Sequence, residues 1–148
     1  MKTFLSFIFI YLAFLLQTAI MRYSPDLVLL LLLVFALYET KKVVLWLSLF
    51  AGLCLDLVNP MTFGFNLLIC LVAGFGVNAL QEIIYHSNRY LIVLMGIVLV
   101  FKYLLGFLIF KALPPLFEII ISGLITLILV LPIESIVRRI LPNQWKLA

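Results

Sequence analysis

Charge is scarce in this sequence. Only 11% of its 148 residues are Asp, Glu, Lys or Arg, where a soluble domain carries about a quarter. Hydrophobic residues make up 67% and the mean hydropathy is +1.35, which excludes water as the main solvent. Histidine occurs once and cysteine twice. His86 alone supports neither a metal site nor a catalytic triad. Cys54 and Cys70 sit in apolar runs without C-x-x-C or Cys/His spacing, so both read as small packing residues and not as a disulfide or metal framework. A glycine-rich phosphate loop is also missing, because Gly74-Phe75-Gly76 falls inside an apolar run, where it suits close helix packing. The net charge is +4, yet the basic residues are scattered instead of massed as a nucleic-acid patch requires. No low-complexity linker or solvated charged tail interrupts the chain, and spans of about 20 residues leave no room for a soluble catalytic domain. Residues 1–148 therefore read as a single integral membrane domain with no cofactor, no metal site and no enzyme machinery.

What the sequence does have is long apolar runs. The first, after Met1-Lys2, imitates a signal peptide, but a cut after Ala19 would place Gln17 where a small residue is needed. It reads as an uncleaved first helix. Breaks at 22–26, 39–42, 59–60, 81–89, 111–115 and from 138 onward delimit six segments. The runs do not alternate as barrel strands would, and lipid demands internally paired backbone, so the fold class is all-α: a polytopic membrane helix bundle of about six transmembrane helices. The predicted spans are 3–21, 25–38, 43–58, 61–80, 90–110 and 116–137. The second and third reach only about 21 to 24 Å at 1.5 Å per residue, short of a hydrocarbon core of about 30 Å. Four-span and five-span topologies therefore stay open beside six.

Basic residues are retained on the cytoplasmic side. With six spans, Lys2, Lys41, Lys42, Arg89, Arg138, Arg139 and Lys146 share one side and only Arg22 and Lys111 the other. The expected placement is a cytoplasmic membrane with both termini cytoplasmic. The closing stretch pairs Arg138 and Arg139 with Trp145, as an interfacial helix anchor does.

Charged and amide side chains inside a span cost about 2.5 to 3.5 kcal/mol for Asp or Lys at its centre, so each needs a reason. They are Gln17, Asp26, Asp56, Asn66, Asn78, Lys102, Glu118 and Glu134. Ser24-Pro25-Asp26 resembles a helix start, with Ser24 capping and Asp26 meeting the helix dipole; binding a partner is the competing role for Asp26. Ser48, Gly52, Asp56 and Asn59 form one small-and-polar stripe on the third segment, which should face protein and not lipid. Ser6, Ala13 and Gln17 repeat the device on the first segment, Lys102 and Gly106 on the fifth, and Glu118, Ser122 and Thr126 on the sixth. Two readings stand for Lys102: a buried ion pair with Asp56, or a side chain snorkelling alone to the interface.

The run from Gly52 through Asp56, Asn59, Pro60 and Gly64 to Asn66, with the upstream Pro25-Asp26-Leu27-Val28-Leu29, resembles the rod shape-determining MreD family. The order and length of the segments agree over nearly the whole chain. The discriminating residues Pro25, Asp26, Gly52, Asp56, Gly64 and Asn66 all lie in the first half, and Lys102 matches nothing in the family's pattern. The resemblance implies a non-catalytic membrane scaffold of the bacterial elongation machinery, which makes lateral peptidoglycan. The implied partner is MreC, through its transmembrane helix and juxtamembrane segment, and through it MreB, RodA and its transpeptidase. The motif residues would then either line a groove for MreC or hold the bundle in shape. The family's layout is also similar to the substrate-binding subunits of energy-coupling-factor transporters. A membrane solute-binding subunit of a vitamin-type transporter is therefore the alternative.

Overall fold

A computed structural model describes residues 2–19, 26–58, 63–80, 88–111 and 116–140, and these form six α-helices. They are α1 (Lys2–Ala19), α2 (Leu27–Tyr38), α3 (Lys41–Val58), α4 (Phe65–Ala79), α5 (Asn88–Phe110) and α6 (Leu116–Ile140). Pro25, Asn59, Pro60, His86 and residues 141–148 lie outside the described residues. One helix corresponds to each predicted segment, with bounds that differ by a few residues. The largest shift is at the start of the fourth, where Gly64 takes φ +87° as the N-cap and the helix begins only at Phe65.

The twelve residues of α2 are apolar on every side, and nine of them, Leu27–Leu30 and Leu32–Ala36, are buried. A helix apolar all round belongs in an interior, and α1, α3, α4 and α6 all pack against α2. Its length of about 18 Å at 1.5 Å per residue matters less there, because its flanks meet protein. α5 and α6 are the long elements: Leu91–Ile109 and Phe117–Val137 are each long and apolar enough to cross a bilayer.

Helices consecutive in the chain run antiparallel from α1 to α4, whereas α2 and α4 run parallel, as their polar ties show. Near one end of the bundle, Ser6 at the start of α1 meets Glu39 just past α2, and Asn78 at the end of α4 meets Ala36 and Glu39. Toward the opposite end, Gln17 of α1 meets Val28 of α2, and Asp56 of α3 meets the start of α4. The first end carries the N-terminal turns of α1, α3 and α5 and the C-terminal turn of α6, and hence the sequence positions Lys2, Lys41, Lys42, Arg89 and Arg139.

Beside its apolar core the bundle buries polar side chains and leaves large apolar ones exposed. Ser6, Asp26, Glu39, Ser48, Asp56, Asn78, Thr126 and Glu134 are buried. Phe4, Ile8, Leu12, Val93, Ile97, Leu104, Leu124 and Ile128 are among the many large apolar side chains left exposed. Water would penalise that distribution, whereas a lipid solvent favours it, because only the interior offers hydrogen-bond partners. The chain is a helical membrane protein.

Small residues set the tightest contact, between α3 and α4. A Cβ placed on Gly52 would run into the Leu67 backbone and lie 3.1 Å from the Leu67 Cβ. One on Gly74 would strike the Ser48 hydroxyl and sit 3.2 Å from Val44 Cγ1. Hydrocarbon on both sides gives helices no hydrophobic reason to associate in lipid, so close approach and hydrogen bonds must do it. Phe7 of α1 adds an edge-to-face ring contact with Phe50 of α3 at 5.4 Å.

Candidate functional site

The Asp56 side chain accepts four hydrogen bonds at the α3–α4 junction. One carboxylate oxygen accepts hydrogen bonds from the Asn66 N–H at 3.1 Å and the Asn66 Nδ2 at 3.0 Å. The other accepts from the N–H groups of Gly64 at 2.8 Å and Leu67 at 3.1 Å. The first N–H groups of any helix lack intrahelical partners, and outside water they need another acceptor. Asp56 supplies it from the preceding helix, placing a carboxylate at the positive end of the α4 dipole. Gly64 makes the turn feasible, since φ +87° is a backbone conformation that L side chains rarely adopt. Gly52, one turn earlier on α3, brings the two backbones together at Leu67. Four of the six family-pattern residues, Gly52, Asp56, Gly64 and Asn66, thus form one α3–α4 joint. Asp56 is only 1% exposed, and its acceptor sites are occupied by this cap.

Asp26 stands elsewhere, at the entry to α2. Its backbone N–H donates to Thr126 Oγ1 at 3.1 Å, and the Thr126 hydroxyl donates to the Ser122 carbonyl at 2.7 Å. The Asp26 side chain does not cap α2. Instead Asp26 Oδ1 accepts from Lys102 Nζ at 2.6 Å, the side chains being 18% and 8% exposed for Lys102 and Asp26. The ion pair expected between Lys102 and Asp56 is therefore corrected to Lys102 and Asp26. The physical reason is that Asp56 is already saturated by the α4 N-terminus, whereas Asp26 leaves its carboxylate free of a cap. Asp26 is the N-cap residue of α2, but the Val28 N–H goes to Gln17 Oε1 at 3.2 Å, and the expected Ser24 cap lies outside the described residues. Snorkelling alone also fails for Lys102, whose ammonium turns inward. The second oxygen of Asp26 and the hydroxyl of Ser48 are buried without a hydrogen-bond partner.

A third cluster went unread in the sequence. Glu39 is buried just after α2; its carboxylate accepts from the Ser6 hydroxyl at 3.2 Å, and its backbone carbonyl accepts from Asn78 Nδ2 at 3.3 Å. Asn78 also donates to the Ala36 carbonyl at 3.2 Å, so it covers carbonyls that the end of α2 leaves unpaired. Glu39 resembled a solvated loop charge because Lys41 and Lys42 follow it. Its one signal was the two-residue connection, too short to carry the side chain far from the helices it joins.

Asp26, Asp56 and Glu39 thus tie α2 to α5, α3 to α4, and α1 to the end of α2. Among the described residues, no three His, Cys, Asp or Glu side chains converge as a metal site would require. The chemistry on display is charge neutralisation and helix capping, which hold a shape.

No curated protein and no solved structure matches the chain. A family model does match, over residues 1–140, a stretch that contains all three polar clusters, and the chain accordingly belongs to the family of the rod shape-determining protein MreD.

Proposed function

We propose that the protein is a non-catalytic scaffold of the elongation machinery in the bacterial cytoplasmic membrane. It binds the transmembrane helix and juxtamembrane segment of MreC and so couples MreB, RodA and the partner transpeptidase to rod-shape peptidoglycan synthesis. The family match over residues 1–140 carries this reading. The motif geometry supports the shape-holding role of the two that the resemblance left open: Gly52, Asp56, Gly64 and Asn66 are engaged with one another across α3 and α4, and partner contact falls to the exposed apolar surface. In this reading both termini are cytoplasmic, which the exposed Lys41 and Lys42 at the end of the bundle where α1 begins support. The solute-binding alternative gains little support, since a groove lined by apolar side chains lacks the convergent polar groups that fix a vitamin.

The test is capture of the tagged full-length chain from gently solubilised native membranes, together with depletion in living cells. Co-purification of a single-span coiled-coil protein and rounding of the depleted rods are expected. Recovery with ATPase subunits or a bound vitamin, in cells that stay rod-shaped on depletion, would overturn the proposal.

A further inference from the structure

α5 lies at the edge of the bundle. Among its described apolar side chains only Leu91, Met95 and Leu99 are buried. They form one helical stripe, which Lys102 and Gly106 continue. α5 packs against α6 and touches α4 at few points, and an open groove lined by apolar side chains runs between α4 and α5. A Cβ on Gly76 of α4 or Gly96 of α5 would meet nothing within 4 Å, and one on Gly106 would make only ordinary contact with Phe65 at 3.6 Å. The close backbone approach that joins α3 to α4 at Gly52 has no counterpart at these glycines.

In lipid, apolar contact between helices gains little over contact with acyl chains, so close packing and polar ties hold a helix in place. Close packing is weak along the α4–α5 seam. Among the described residues, the polar tie from α5 to α1–α4 is the Lys102–Asp26 pair at 2.6 Å. α6 is secured separately, through its contacts with α2 and the Asp26 N–H that donates to Thr126. The pair itself is incomplete. Asp26 Oδ2 is buried without a hydrogen-bond partner, and a buried pair offsets its desolvation only when the remaining lone pairs are satisfied as well. Lys102 also has an alternative to Asp26, because its long stem can carry the ammonium to the interface.

We infer that α5 is a strap, fastened to α1–α4 by the Lys102–Asp26 pair and able to swing about α6, which opens its seam with α4. The structure shows the fastened state. Release exchanges one buried ammonium–carboxylate contact for two charges hydrated at the interface, while the α3–α4 joint and the contacts of α6 with α2 stay as they are. This motion requires the membrane setting and no particular protein partner.

Pulsed electron–electron double resonance on the full-length protein in lipid nanodiscs tests it. One spin-label pair, at Leu68→Cys of α4 and Leu104→Cys of α5, reports the seam; a second, at Leu53→Cys of α3 and Val72→Cys of α4, reports the α3–α4 joint. All four positions are exposed; Cys54→Ala removes one native thiol, and the buried Cys70 stays. Lys102→Met and Asp26→Asn should each add a longer α4–α5 distance and leave the α3–α4 distance unchanged. Lys102→Arg should keep the seam closed, since a guanidinium fork can donate to both oxygens of Asp26. An α4–α5 distance unmoved in both neutral variants would overturn the inference. So would an α3–α4 distance that lengthens as much, or a seam that opens as widely with arginine as with methionine. If the neutral variants do not fold, the unaltered protein decides: the α4–α5 distribution should be broader than the α3–α4 one, and equal widths would overturn the strap.

Discussion

Asp56 accepts four hydrogen bonds from the start of α4. Replacing it by leucine strands the N–H groups of Gly64, Asn66 and Leu67, and each buried unpaired donor costs about 1 to 3 kcal/mol. Asp56→Leu should therefore destabilise the protein by about 3 kcal/mol or more, with Asp56→Asn intermediate because one acceptor oxygen survives. Reversible unfolding in lipid–detergent mixtures reads both, and a leucine variant as stable as the parent would contradict the capping role. Lys102 invites a second measurement. Removing one partner of a buried pair costs about 3 to 5 kcal/mol, so Lys102→Met and Asp26→Asn should each destabilise, while the double variant loses clearly less than their sum. The same cycle between Lys102 and Asp56 should be additive within about 0.5 kcal/mol. Coupling to Asp56 in place of Asp26 would reverse the assignment made from the 2.6 Å contact.

Among the elements, the α3–α4 pair depends on missing side chains. Gly74→Ala places a methyl against the Ser48 hydroxyl and close to Val44, and overpacking of this kind costs about 1 to 3 kcal/mol. Ser48 is buried without a hydrogen-bond partner, so Ser48→Ala on its own should be neutral or slightly stabilising. Combined with Gly74→Ala it should recover part of the lost stability, since it removes the atom in collision. Failure of any rescue would show that backbone spacing or Val44 limits the contact. At Gly52 no such relief exists, because the obstacle is the backbone of Leu67. The stripe Ser48, Gly52, Asp56 was readable as a protein-facing surface from its spacing alone. That its counterpart would be Leu67 and Gly74 of the next helix was not, because several helices carried small residues at compatible intervals.

For the molecule as a whole, the polar ties alternate between the two ends of the bundle and put the first turns of α1, α3 and α5 at the same end. Reporter fusions check the resulting membrane orientation. A reporter inserted at Thr40 should be active only as a cytoplasmic protein, and one joined after Lys111 only as an exported one. The opposite pattern at either site would refute the placement of the termini. The short α2 also acquires its meaning at this scale: its 12 residues would span lipid poorly, yet they serve as a central post with other helices on its flanks.

Composition and hydropathy alone determined that the protein is a helical membrane bundle with six segments, and the spacing of the polar residues determined that they face inward. Both follow from local physics, since a backbone in lipid must satisfy itself and a charge in lipid must find protein. The motif around Asp56 also announced the family. Partner choice among the buried charges was decided only by the tertiary structure. The sequence reading paired Lys102 with Asp56, 46 residues away, whereas the structure pairs it with Asp26, 76 residues away. The α4 N-terminus occupied one carboxylate and left the other to the lysine, an outcome set by three-dimensional competition for hydrogen bonds that no linear spacing encodes.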